Sequence, residues 1–216
     1  MAFTTAFLVS GCASESEALG KSMRLLIGRS DPTEQAPLRP GYRYLRASVD
    51  GRTVLLVLGY VENHPDGAIE IWYSGEREVI KTQRGHIVGT AGLSTDWRAV
   101  RFVSPLPELR QITTQTTARY TRSRDEMPGY RYDIRETITL RPIPAPEKSA
   151  IRALDPASLV WIEESADAST PGEAPLPPAR FALDIRAGAD PVVYSEQCLA
   201  PTLCLALQRW PVGPVQ

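Results

Sequence analysis

Apolar and polar residues alternate most regularly from Tyr130 to Arg141. Tyr130, Tyr132, Ile134, Ile138 and Leu140 fall on one side, with Arg131, Asp133, Arg135, Thr137, Thr139 and Arg141 on the other. A period of two is that of a β-strand with one buried face. Glu136 interrupts the apolar side. A carboxylate aimed into a core is costly unless a cation meets it. The expectation is a bulge or sheet edge that carries Glu136 to water; the alternative is a buried arginine partner.

Similar runs fill most of the chain. Tyr42 to Val49 and Thr53 to Val61 flank Asp50-Gly51, a strong hairpin signal. The second run is almost wholly apolar, which suits a strand buried on both faces or one of core length. Ala68 to Tyr73 and Glu76 to Thr82 flank Ser74-Gly75. His86 to Val88 reads as a short strand and Ile112 to Arg122 as a threonine-rich one, with Met127-Pro128-Gly129 as a turn. Leu159 to Glu163, Arg180 to Arg186, Val192 to Glu196 and Leu203 to Trp210 complete the set. Asp167 to Pro178, rich in Pro, Ala and Gly, reads as a loop. Only Glu15 to Gly28 breaks the pattern: Ala18, Met23, Leu26 and Ile27 recur at helical spacing, and Ser14 with Glu17 can cap that helix. These elements predict an all-β fold. It is a curved, half-closed β-barrel-like sheet over residues 41–216, with one short N-terminal helix over a linker region of 12–40.

Composition narrows the function. Lys+Arg is 24 against 25 for Asp+Glu, so no basic stripe marks a nucleic-acid binder. The apolar stretch Phe3 to Val9 is far shorter than the roughly 18 residues of a membrane-spanning helix. It ends in Leu8-Val9-Ser10-Gly11-Cys12, which has the form of a bacterial lipobox. There the Cys12 thiol accepts a diacylglycerol as a thioether, for which a nucleophilic sulfur is required. Cleavage after Gly11 removes residues 1–11 as a signal peptide and frees the Cys12 amine for a further fatty acid. Two or three chains anchor a protein stably where one does not. No Lys or Arg precedes Cys12, a departure from the usual signal pattern. Ala13 follows it, in place of the aspartate linked to inner-membrane retention. The expected address is therefore the periplasmic face of the outer membrane, with the membrane itself as partner through the acyl chains.

Cys198 and Cys204 stand six positions apart around Pro201. A bend there can bring the thiols together as a disulfide in an oxidising compartment, and two buried free thiols remain the alternative. The spacing is not that of a CxxC redox or zinc motif.

Tyr44-Leu45-Arg46, Val57-Leu58-Gly59-Tyr60, Trp72, Gly75, Ile80-Lys81-Thr82, Gly85 and Ile87-Val88-Gly89-Thr90-Ala91-Gly92-Leu93 carry a further signal. With the lipobox, they make the chain resemble the YjbF/GfcB-type lipoproteins, the group 4 capsule polysaccharide lipoprotein family. That resemblance implies an outer-membrane lipoprotein serving capsule or exopolysaccharide production, with export or assembly proteins, and the polysaccharide itself, as partners. It also implies a curved sheet or barrel. It implies no catalytic residues and no cofactor.

The chain's own chemistry agrees. Its two histidines, His64 and His86, do not sit in metal-ligand patterns. His64 lies in a turn sequence, Glu62-Asn63-His64-Pro65-Asp66. His86 with Ser94 and Asp96 is the weak case for a hydrolase, since no Gly-x-Ser-x-Gly elbow accompanies it. Trp72, Tyr73, Trp97, Trp161 and Trp210 are candidate platforms for sugar rings, although tryptophan at strand spacing is more often core. The primary reading is a non-catalytic accessory lipoprotein of polysaccharide assembly or export. The alternative is a lipid- or glycan-binding carrier with a barrel cavity.

Overall fold

The computed structural model describes residues 33–112, 117–167, 175–186 and 191–213. Among them run β1 (Tyr44–Val49), β2 (Arg52–Glu62), β3 (Ile69–Tyr73), β4 (Val79–Gln83), β5 (His86–Ala91) and β6 (Asp96–Phe102). After a long connection come β7 (Ala118–Met127), β8 (Arg131–Ile143), β9 (Val160–Ala166), β10 (Ala179–Leu183), β11 (Val192–Ala200) and β12 (Leu203–Trp210). The helix expected over Glu15 to Gly28 lies outside the described residues.

All twelve strands form one antiparallel sheet in the order β5-β4-β3-β2-β1-β12-β11-β10-β9-β8-β7-β6. Every strand but the two at the ends of that order therefore pairs with two neighbours. β5 and β6 follow each other in the chain yet form the two ends of the sheet, so the barrel is nearly closed. Tight turns drive this meander. Asp50 (φ 49°) and Gly51 (φ 75°) both adopt the left-handed conformation, as do Arg84 (φ 50°) and Gly85 (φ 83°). Two successive positive φ values match the twist of flanking strands in a two-residue hairpin. Gly85 is needed for space as well, since a Cβ there would come within 2.6 Å of Val192.

Side chains close the seam that no ladder spans. Thr90 of β5 accepts from the Trp97 amide of β6 at 3.0 Å and donates to Asp96 at 2.9 Å. Gln197, reaching from β11, accepts from the Ile87 amide and donates to the Gly85 carbonyl, both at 2.9 Å. One side-chain amide thus substitutes for a strand along β5. Trp97 donates its indole N–H to the Leu199 carbonyl at 3.1 Å, pinning β6 to β11 as well.

Three apolar clusters hold the body together. One gathers Leu45, Leu56, Trp72, Ile80, Trp97, Leu199 and Leu205 inside β1–β6 and β11–β12. A second gathers Leu106, Tyr120, Ile138, Leu140, Ile162, Phe181 and Leu183 inside β7–β10. The third lies under the β8–β9 connection, where Ile151 and Leu159 cover Trp161, Ala182 and Tyr194. That connection is also stitched down by backbone bonds: Ala150 donates to the Tyr194 hydroxyl and Arg152 to Gln208, both at 2.9 Å.

The structure corrects several expectations. β2 is not buried on both faces: Leu56 is buried while Val54, Tyr60 and Val61 are 46%, 52% and 40% exposed. It belongs to an antiparallel sheet whose outer side here is covered by no other described element, so its apolar run exceeds what the core uses. β6 had no counterpart in the sequence pattern, because a register shift between Trp97 and Ala99 breaks its alternation. β7 begins at Ala118, six residues later than the threonine-rich run suggested. Tyr130 and Tyr132 are 70% and 63% exposed, since this end of β8 runs beyond β9, whose pairing begins only at Ile138. Phe181 is 0% exposed at the centre of the second cluster, so Phe181→Ala is expected to cost about 3–5 kcal/mol, read as a lower urea midpoint at unchanged slope.

Candidate functional site

The alternation in β7 places Tyr120, Arg122 and Arg124 on its inward face. In register with Arg122 on β8 stands Glu136. The Arg122 Nε donates to Glu136 Oε2 at 2.8 Å, and Arg124 Nε lies 3.3 Å from the same oxygen. Both guanidinium groups stack on Trp97, at 4.9 and 5.2 Å from the ring centroid. Glu136 is 3% exposed, so it is buried and paired and does not reach water through a bulge or edge. Removing a lone carboxylate from water is costly, and two arginines on one oxygen reverse that cost. Burial pushes the Glu136 pKa up, but Arg122 and Arg124 together hold it below the ordinary carboxylate value.

A second group continues from the first. His86 Nε2 lies 2.7 Å from Glu164 Oε1, and the Tyr120 hydroxyl donates to Glu164 Oε2 at 3.1 Å. Burial again opposes ionisation of Glu164, and His86, Arg122 and Tyr120 together bring its pKa below the ordinary value. Burial, then the Glu164 charge, push the Tyr120 hydroxyl well above its usual range, so it remains a donor. Phe181 packs on the His86 ring at 4.5 Å between centroids, with Phe102 at its edge at 5.9 Å.

At the other side of the interior the same theme recurs. Arg209 grips Glu70 with two hydrogen bonds of 2.8 and 3.1 Å, and Arg43 pairs with it as well. Both guanidinium groups lie over Trp72, at 5.8 and 5.9 Å. The Trp72 indole donates to Thr82 at 2.9 Å. Two carboxylates are therefore each held between two arginines above a tryptophan ring. Charged aromatic sandwiches of this kind fill the interior, and the two cavities that border them measure about 20 Å³ each. That volume holds about one water molecule, far from the space an acyl chain requires.

The residues singled out by the sequence are dispersed. The other His86 contact is from Nδ1 to the Arg84 carbonyl at 3.2 Å, so its polar neighbours are Glu164 and backbone and not a nucleophile. Asp96 is occupied by Thr90 and the amides of Gly92 and Leu93. His64 accepts from the Asp66 amide at 3.2 Å in an exposed turn. Among the described residues no group of three or more His, Cys, Asp or Glu is placed to hold a metal ion. Trp72, Trp97 and Trp161 are core, at 1–2% exposure, while Tyr73 lies on the surface. Cys198 and Cys204 face each other across β11–β12 as a disulfide with an S–S distance of 2.02 Å. Gly11 and Cys12 lie outside the described residues. Sequence reasoning missed Arg122, Arg124, Glu164 and Gln197. Their signal was present as charges at alternate positions of β7 and a carboxylate inside the apolar run of β9.

A near-closed barrel with a filled interior is the frame in which the comparisons fall. The family of the group 4 capsule polysaccharide lipoprotein gfcB, YjbF, matches residues 41–170. The chain belongs to this family. The crystal structure of the hypothetical lipoprotein YmcC from Escherichia coli (K12) shares its fold, with a TM-score of 0.58 over 95% of this chain and 100% of that one, at 18% identity. No curated protein matches. For this capsule polysaccharide lipoprotein the interior network sets a clear acid limit. The folded pKa values of Glu136 and Glu164 lie below the ordinary 4.5. Each contributes stability that is complete above that value and is lost as the pH falls through the folded one. The melting temperature is expected to drop as the pH falls below the ordinary carboxylate value of 4.5, with a shallower slope in Glu136→Gln. At neutral pH that variant takes from buried Arg122 its ion-pair partner, while Arg124 keeps Glu126, and is expected to lose about 3–5 kcal/mol in urea denaturation.

Proposed function

We propose that the chain is an outer-membrane lipoprotein, tethered on the periplasmic side by acyl chains on Cys12, and that it is a non-catalytic accessory in assembly or export of a capsule or exopolysaccharide. The observation that carries this reading is the family match over residues 41–170. The lipobox ending in Gly11-Cys12 supports the anchor, with residues 12–40 as the tether and the barrel as the working body. The facing cysteines of the β11–β12 hairpin suit an oxidising compartment. An accessory role fits a body whose interior carboxylates Glu70, Glu136 and Glu164 are each held by cations or hydrogen-bond donors of the barrel itself. The carrier reading has less support, because the cavities described above accommodate water and not lipid.

Deleting the gene is expected to reduce extracellular polysaccharide, with restoration by the wild-type chain and not by Cys12→Ala. Unchanged polysaccharide in the deletion strain would refute the role. Mass spectrometry of the mature protein is expected to find Cys12 as the first residue and fatty-acylated; an unmodified chain retaining residues 1–11 would refute the anchor.

A further inference from the structure

The outer face of β1–β3 carries tyrosines that the core does not use. Tyr42, Tyr60 and Tyr73 are 54%, 52% and 45% exposed. Trp72 points inward, so Tyr73 beside it faces out. Gly59 is the extra residue where the β2–β3 register shifts between Leu58 and Tyr60. The Tyr73 ring lies on it: a Cβ at Gly59 would collide with ring atoms Cδ2 and Cε2. One face of the ring therefore rests on backbone and the other meets solvent.

Next to this ring a row crosses the sheet. Tyr60 pairs with Ile71, Ile71 with Lys81, and Lys81 with Gly89. Ile71 alternates with inward Trp72 and so points outward, and at 4% exposure it is an apolar base covered by its neighbours. The Lys81 stem lies across Gly89, with Cδ 3.3 Å from where a Cβ would stand, and the Arg98 carbonyl follows at 3.7 Å. Arg98 is exposed. Neither Lys81 nor Arg98 has an ion-pair partner among the described residues. Glu62 stands at the end of β2, its Oε2 3.5 Å from the Tyr60 hydroxyl.

This combination selects a ligand chemistry. Sugar rings offer C–H faces that stack on aromatic rings, and tyrosine adds a hydroxyl at low entropic cost. Unpaired cations beside such rings complement carboxylates on the same chain. Four strand spacings from β1 to β5 span about 19 Å, enough for several consecutive sugars. We propose that this outer face, centred on Tyr60, Tyr73 and Lys81 with Arg98 at its edge, binds a stretch of acidic polysaccharide. Sugar rings stack on the tyrosines and carboxylates pair with Lys81 and Arg98. The inference rests on the polysaccharide reading of the preceding subsection and names the surface and the ligand class.

The test uses the full chain in detergent. The probes are fragments of the acidic extracellular polysaccharide from the producing cells, native and after reduction of their carboxyl groups to alcohols. Calorimetry is expected to show binding of native fragments, weakened about 10-fold in Tyr60→Ala/Tyr73→Ala. Lys81→Gln/Arg98→Gln is expected to weaken it about 10-fold and to abolish the preference for native over reduced fragments. Gly59→Ala, which removes no ligand-facing atom, is expected to behave like Tyr73→Ala because it lifts the ring. Tyr130→Ala, on the β7–β8 hairpin, serves as a control that leaves binding intact. Tyr60, Lys81 and Arg98 are at least partly exposed, so those variants keep the wild-type melting temperature. Absence of binding by the wild type, or equal binding by the tyrosine variants, overturns the proposal. So does adsorption to phosphatidylglycerol vesicles that needs the same tyrosines while the fragments do not bind, which assigns the face to a membrane. If the deletion strain loses polysaccharide but Tyr60→Ala/Tyr73→Ala complements it fully, this surface falls and the accessory role stands.

Discussion

The grip of Arg122 and Arg124 on Glu136, under the ring of Trp97, is the interaction on which the rest of the molecule depends. An eight-stranded barrel is about as wide as its own side chains can fill. A sheet of twelve strands encloses more, and the two cavities beside the arginine groups hold only about 20 Å³ each. This protein lays β5 inside, buried along nearly its whole length, and fills the remainder with long cations stacked on tryptophan. Arginine suits that task because its guanidinium is planar, weakly hydrated and always charged. Such a filling is stable only when each charge has its partner, since one unmatched ion in the interior costs several kcal/mol. The Glu70 group over Trp72 repeats the solution on the other side of the interior.

Closure follows from the same filling. A sheet end is a row of open donors and acceptors, and a natural template for aggregation. Here the ends are β5 and β6, and Gln197 and Thr90 satisfy part of their backbone. Gln197 can reach β5 only because the sheet curls enough to bring β11 against it. The barrel is thus nearly closed by a ladder on eleven boundaries and by side chains on the last.

A filled interior moves any contact with a partner to the outside. The outer face is divided in its surroundings. Over β9–β12 the β8–β9 connection covers it with Ile151 and Leu159. Over β2 and β3 no described element covers it, and Tyr60 and Tyr73 stand where polar residues usually face water. That face is where the proposed polysaccharide contact would lie.

The sequence by itself determined the fold class, most of the strands and the turns between them, because alternation and turn chemistry are local. Asp50-Gly51 and Met127-Pro128-Gly129 mark hairpins wherever they occur between apolar runs. The resemblance of Tyr44 to Leu93 to its family was equally legible, since it rests on residue identity alone. Three things were decided only by tertiary structure. The direction of Glu136 depends on Arg122, fourteen residues away, which faces it only once β7 and β8 are in register. The meeting of His86 with Glu164 spans 78 positions and needs the sheet to curl. Trp72 and Trp97, which composition leaves equally suited to core or surface, went inside, where their rings carry the buried arginines, while Tyr60 and Tyr73 were left on the outer face.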